Sequence, residues 1–154
     1  MKKILSFTIN HDTLERGLYV SRIDGDVITY DIRMKKPNGG DYLENPAMHT
    51  IEHIFATYAR NSAYSDSVVY FGPMGCRTGF YLLMRDTVSK ESVLKLAIEA
   101  FAFIADFTGE IPGNKREECG NYLEHDLTGA KAEAKEMLKV LKTKTVKDME
   151  YNNG

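Results

Sequence analysis

Apolar and polar positions alternate along Val27-Ile28-Thr29-Tyr30-Asp31-Ile32-Arg33-Met34, placing Ile28, Tyr30 and Ile32 on one side and Val27 and Thr29 on the other. The turn residues Asp24-Gly25-Asp26 separate this segment from Gly17-Leu18-Tyr19-Val20, so the two form a hairpin, which ends at Pro37-Asn38-Gly39-Gly40. Asn45-Pro46 supplies an N-cap and a proline at the first helical position of a helix running to roughly Arg60. Two short strands follow: Val68-Val69-Tyr70-Phe71 is stopped by Gly72-Pro73-Met74-Gly75, and Gly79-Phe80-Tyr81-Leu82-Leu83-Met84 comes next, leaving Cys76 in the turn between them. Ser89 with Glu91 opens a second helix, whose Val93, Leu94, Leu96, Ala97, Ala100, Phe101 and Ile104 form a core-facing stripe and which ends near Thr108-Gly109. Glu110 to His125 reads as loop, Thr128 to Leu141 as a last amphipathic helix, and Tyr151-Asn152-Asn153-Gly154 as frayed. No repeat or linker divides residues 1–154, which predicts a single α+β domain, mostly antiparallel sheet with helices packed on one face.

Composition narrows the partners. A chain of 154 residues with 43% apolar and 27% charged positions is long enough to bury a core without disulfides. Its net charge of -2 and lack of a basic stripe argue against nucleic acid or an anionic membrane surface as partner, and favour a small molecule or a protein. Ser6, Thr8, Asn10 and His11 interrupt the apolar stretch after Lys2-Lys3, so no signal peptide is expected and a cytoplasmic location is. The only cysteines, Cys76 and Cys119, are therefore expected to be reduced thiols with separate roles.

The chemistry concentrates in His49-Thr50-Ile51-Glu52-His53. One helical turn separates the two histidines, which places both imidazoles on one face about 6 Å apart, a spacing suited to a shared divalent ion. Glu52 sits beside that face as a base, the inverted form of the H-E-x-x-H arrangement. A catalytic site takes a third protein ligand and leaves one position open. Cys76, Cys119, His11 and His125 are all candidates by residue type, and spacing does not choose among them. Cys76, next to Arg77 in a Gly-rich turn, suits a reactive thiol, and Cys119-Gly120 in a loop suits a ligand. Two other readings compete at this point. One is an inverted-motif metallopeptidase in which Glu52 activates water; the other is a structural Cys2His2 site using both cysteines.

Taken in order, Ser6-Phe7, His11, Asp31-Ile32-Arg33, Pro37-Asn38, His49 to His53, Pro73-Met74-Gly75-Cys76-Arg77-Thr78-Gly79, Cys119-Gly120 and His125-Asp126-Leu127 with Gly129-Ala130-Lys131 resemble the S-ribosylhomocysteine lyase (LuxS) family across nearly the whole chain. The resemblance implies Cys119 as third ligand, iron(II) as the native ion with zinc or cobalt able to replace it, and Cys76 with Glu52 as the acid/base pair. It further implies a homodimer whose substrate pocket, formed between subunits, takes Ser6, His11 and Arg33 together with Phe7 as apolar wall. His125 and Asp126 are expected to start the last helix or to support the ligands. The implied reaction cleaves the thioether of S-ribosylhomocysteine, releasing homocysteine and 4,5-dihydroxy-2,3-pentanedione, the precursor of autoinducer-2. One stretch departs from the family pattern: Tyr70, Phe71 and Gly72 stand where an acidic residue, an apolar residue and serine approach the ribosyl group in relatives.

Overall fold

A computed structural model describes residues 1–151, apart from the Leu5 side chain. The hairpin pairs β1 (Gly17–Asp24) with β2 (Val27–Arg33) through Asp24 opposite Val27, and Gly25 takes a left-handed φ of 61° to make so short a connection. Helix α1 (Asn45–Arg60) follows, then β3 (Val68–Pro73), β4 (Gly79–Arg85), α2 (Lys90–Ala105) and α3 (Leu127–Leu141). The sheet is antiparallel in the order β1-β2-β4-β3. Gly79 belongs where β4 meets β2, because a Cβ there would collide with the Ile32 carbonyl.

The predicted alternation of β2 holds. Tyr30 and Ile32, with their β4 partners Leu82 and Phe80, lie in one fully buried cluster with Ile51, Ile54 and Phe55 of α1 and Phe101 of α2. Phe55 stacks on Phe71 at 4.0 Å, and Phe71 on Phe80 at 4.8 Å, which fastens α1 to the sheet. This anchoring turns the opposite side of α1 outward, and that side carries His49, Glu52 and His53. Among the described residues the other face of the sheet has no α-helix over its centre, yet Asp31 and Arg33 are buried there, a feature the alternation did not foretell.

Four boundaries differ from expectation, the first being that β3 runs through Gly72 and Pro73 instead of stopping before them. Asn45 is the first helical residue rather than the cap: Glu44 holds the cap position without a side-chain bond, and Pro46 lies in the first turn, where a missing N–H costs nothing. Helix α2 stops at Ala105 rather than near Thr108-Gly109; a turn closed by Phe107 N–H to the Ile104 carbonyl carries the chain away before Gly109. Ser89 caps α2 as expected, accepting the Ser92 N–H. Tyr151 is not frayed: Val20 N–H reaches the Met149 carbonyl at 2.7 Å beside the β1 irregularity, which lays Tyr151 against Tyr19 and lets its hydroxyl donate to Asp31 at 2.7 Å. Residues 152–154, also expected to fray, lie outside the described residues.

Asp126 caps α3, its Oδ1 accepting Gly129 N–H at 2.9 Å. Replacing it with alanine is expected to cost about 1 kcal/mol and to lower the thermal midpoint by about 2–4 °C, read by circular dichroism melting.

Candidate metal centre

The outward side of α1 meets the segment between α2 and α3, which contains no helix or strand and is folded as successive turns. This loop fixes both histidines. His49 Nδ1 lies 2.6 Å from the Glu124 carbonyl, and His53 Nδ1 lies 2.8 Å from the Pro112 carbonyl. A carbonyl only accepts, so each Nδ1 bears the proton and each Nε2 presents a lone pair. Both lone pairs point toward Cys119, whose Sγ is 3.4 Å from His49 Nε2 and 3.8 Å from His53 Nε2. Gly113 completes the wall with a left-handed φ of 72°; a Cβ there would press against His53 Nδ1 at 3.0 Å.

These separations suit a metal. Nitrogen and sulfur ligands at ordinary zinc or iron distances from one tetrahedral ion stand roughly 3.5 Å apart. Without an ion, two imidazole lone pairs facing a sulfur gain little, whereas a divalent cation satisfies all three. His125 joins the cluster, since His49, His53 and His125 offer ligand atoms within 4.8 Å of one another. The Thr50 hydroxyl donates to the Pro46 carbonyl and accepts from Asp126 N–H and from His125 Nδ1. His125 Nε2 is consequently a bare acceptor, buried and without a partner among the described residues. Burial, then the neighbouring His49 and His53, push the His125 pKa down to about 4, so the ring is neutral near pH 7. His125 stacks on His49 at 4.1 Å with an interplanar angle of 15°. This stack suits His125 to bracing the ring of His49.

Glu52 is half-buried on the helix turn between the two histidines and has no hydrogen-bond or ion-pair partner among the described residues. Cys76 lies elsewhere, in the β3–β4 turn, where its Sγ is 3.0 Å from the Thr78 hydroxyl. The two sulfurs therefore do not share one cluster, which removes the support for a closed Cys2His2 site. Arg77, expected to act on Cys76, turns away: it donates to the Leu43 carbonyl and sits over Tyr42 at 6.0 Å. The guanidinium that approaches is Arg33, which pairs with Asp31 through two bonds of 3.1 and 2.6 Å and donates to Thr78 at 2.9 Å. Burial opposes the Arg33 charge, but Asp31 outweighs it and leaves the pKa raised.

The N-terminal residues form a third group. Ser6 lines a 370 Å³ cavity on the helix-free face with Ile4, Thr29, Tyr70, Tyr81 and Leu83; Phe7 is exposed, and His11 Nδ1 is bound to the Ile9 carbonyl. No hydrogen bond or ring contact links Ser6, Phe7 or His11 with the histidine cluster among the described residues. The departures at Tyr70 and Gly72 are physically coupled, because a Cβ on Gly72 would collide with the Tyr70 ring.

A family model described as S-ribosylhomocysteinase (LuxS) matches residues 4–148. The chain belongs to this family. An S-ribosylhomocysteine lyase of Phocaeicola vulgatus is 52% identical, the alignment covering 98% of each chain. One of Porphyromonas gingivalis is 49% identical over 98% of this chain and 99% of its own, and one of Clostridium acetobutylicum is 51% identical over 82% and 84%. No helix among the described residues is long and apolar enough to cross a membrane.

Sequence reasoning missed the Pro112 and Glu124 carbonyls, the Thr50 hydroxyl and the stacking of His125. Backbone acceptors leave no residue-type signal. The Pro112-Gly113 turn dipeptide, and a threonine between two histidines on a buried helix flank, were the available hints.

Proposed function

We propose that this chain is an S-ribosylhomocysteine lyase that releases homocysteine and 4,5-dihydroxy-2,3-pentanedione. The observation that carries the reading is the convergence of His49, His53 and Cys119, in a chain about half identical over nearly its full length to proteins named for that reaction. His49, His53 and Cys119 would hold the ion, taken as iron(II) with zinc or cobalt able to substitute, and His125 braces His49. When bound, such an ion acts as a Lewis acid toward developing oxyanions.

The chain's own groups move the protons. A thioether is expelled only when the carbon next to a carbonyl, β to the sulfur, loses a proton, and the sugar carbonyl begins at C1. Moving the C2 proton to C1 and then the C3 proton to C2 brings the carbonyl to C3. Loss of the C4 proton then breaks the C5–S bond, the sulfur leaves as thiolate and is protonated to homocysteine, and the remaining enol tautomerises to the diketone. Cys76 and Glu52 are assigned these transfers. Ser6, His11, Arg33 and Phe7 are assigned to substrate binding. Since the histidine cluster, Cys76 and the N-terminal residues form separate groups in one chain, a homodimer is the arrangement that closes the pocket. The cavity lined by the exposed Ile4 and Tyr70, and the exposed Phe7 beside Ser6 in the chain, support that reading.

The test is incubation of metal-replete, anaerobically handled protein with S-ribosylhomocysteine, following free thiol and bound metal together. Thiol release in proportion to bound metal is expected; metal-replete protein that releases none removes the assignment.

A further inference from the structure

The turn Met74 to Gly79 is closed by Met74 N–H to the Gly79 carbonyl and Arg77 N–H to the Met74 carbonyl, with Arg77 at a positive φ of 61°. Its inner end is bolted to the chain beyond β2, because the Thr78 carbonyl accepts both Met34 N–H at 2.8 Å and Lys35 N–H at 2.9 Å. Thr78 is thus 2% exposed and fixed in the backbone, while Cys76, two residues away, is exposed. A hydroxyl has one hydrogen to give and two lone pairs. Arg33 NH1 occupies a lone pair of Thr78 Oγ1 at 2.9 Å, which leaves the hydrogen free. Of the two sulfurs in reach, Cys76 Sγ is at 3.0 Å and Met74 Sδ at 4.0 Å. Cys76 is the nearer acceptor for that hydrogen.

We propose that Thr78 is a positioning residue that anchors the Cys76 sulfur by donating its hydroxyl hydrogen, itself oriented by the buried Arg33–Asp31 pair. The inference rests on the assignment of Cys76 as an acid/base group. Arg33 acts here through a dipole rather than a bare charge, because Asp31 already accepts both its Nε and NH2 hydrogens. Tyr151 closes the far end of the chain of bonds by donating to Asp31 Oδ2. The row holds the Thr78 oxygen in place and occupies one of its lone pairs, which leaves its hydrogen free to turn toward sulfur.

The experiment compares Thr78→Val, Thr78→Ala and Thr78→Ser in metal-loaded protein. Alkylation of Cys76 by iodoacetamide at one pH is read apart from Cys119 by peptide mass spectrometry, beside kcat, KM and metal content. A lost hydrogen bond to sulfur is expected to slow Cys76 alkylation and kcat about tenfold in the valine variant, with KM and metal content kept. Serine, which retains the hydroxyl, is expected to restore both rates. Alanine gives water room to satisfy Arg33 and serves where valine does not fold. Wild-type alkylation in the valine or alanine protein, or a serine protein as slow as valine, overturns the proposal. Three-bond couplings across the Cys76 Cα–Cβ bond of the unaltered protein provide a check independent of any variant; a single rotamer is expected, and rotamer averaging overturns the anchor. Should Cys76→Ala still release homocysteine, the acid/base assignment fails, and the alkylation series continues to judge the anchor alone.

Discussion

Cys119→Ala protein, reconstituted with iron(II) or zinc beside the unaltered chain, is expected to bind metal more than about 100-fold more weakly and to release no homocysteine. Removing only an outer hydrogen-bond partner of a ligand costs about 10–100-fold in affinity, and Cys119 is the point on which both Nε2 lone pairs converge. The companion Cys76→Ala is expected to keep its metal and lose turnover, because Cys76 Sγ contacts Thr78 in the β3–β4 turn, apart from the histidine cluster. Metal content by emission spectrometry and thiol release by a colorimetric reagent separate the two losses. Equal metal loss in both variants would falsify the division of labour between the sulfurs.

Glu52→Gln is the second large effect. The amide keeps the size of the side chain and its place on α1, and His49 and His53 retain their carbonyl partners, so metal content is expected to match the unaltered protein. Glutamine has no carboxyl group to give or take a proton. A positioned acid or base contributes about 10²–10⁴-fold to a proton-transfer step, and a fall of that size in kcat is expected. Incubation in deuterated water adds a direct reading: washout of the substrate C2 proton should slow along with product formation. Turnover within a few fold of normal would remove Glu52 from the proton path.

The elements were legible where periodicity was strong. The β2 alternation, the shared α1 face of His49 and His53 and the α2 stripe follow from side-chain periodicity, and the structure returns all three. Boundaries were less legible because capping rests on single bonds: Asn45 has a cap residue's chemistry, but the chain turns at Glu44. Burial of Asp31 and Arg33 contradicts their polarity and makes sense only once Thr78 and Tyr151, distant in sequence, are brought beside them. In the metal cluster, helical spacing alone named His49 and His53. Choosing Cys119 over Cys76, His11 and His125 required the family resemblance, because the loop that delivers Cys119 has no period to read.

The loop that delivers Cys119 also clamps both imidazoles through Pro112 and Glu124, and ends on His125. Helix α1 contributes His49 and His53 and the loop contributes Cys119, so an ion held by these three would span helix and loop at once. Occupancy and loop docking are then reciprocal by thermodynamic linkage. A substitution that loosens the loop far from any donor weakens ion binding, by up to the free energy that the ion contributes to seating the loop. Metal titration of this protein thereby measures the cohesion of a surface segment that no melting curve of the core would isolate.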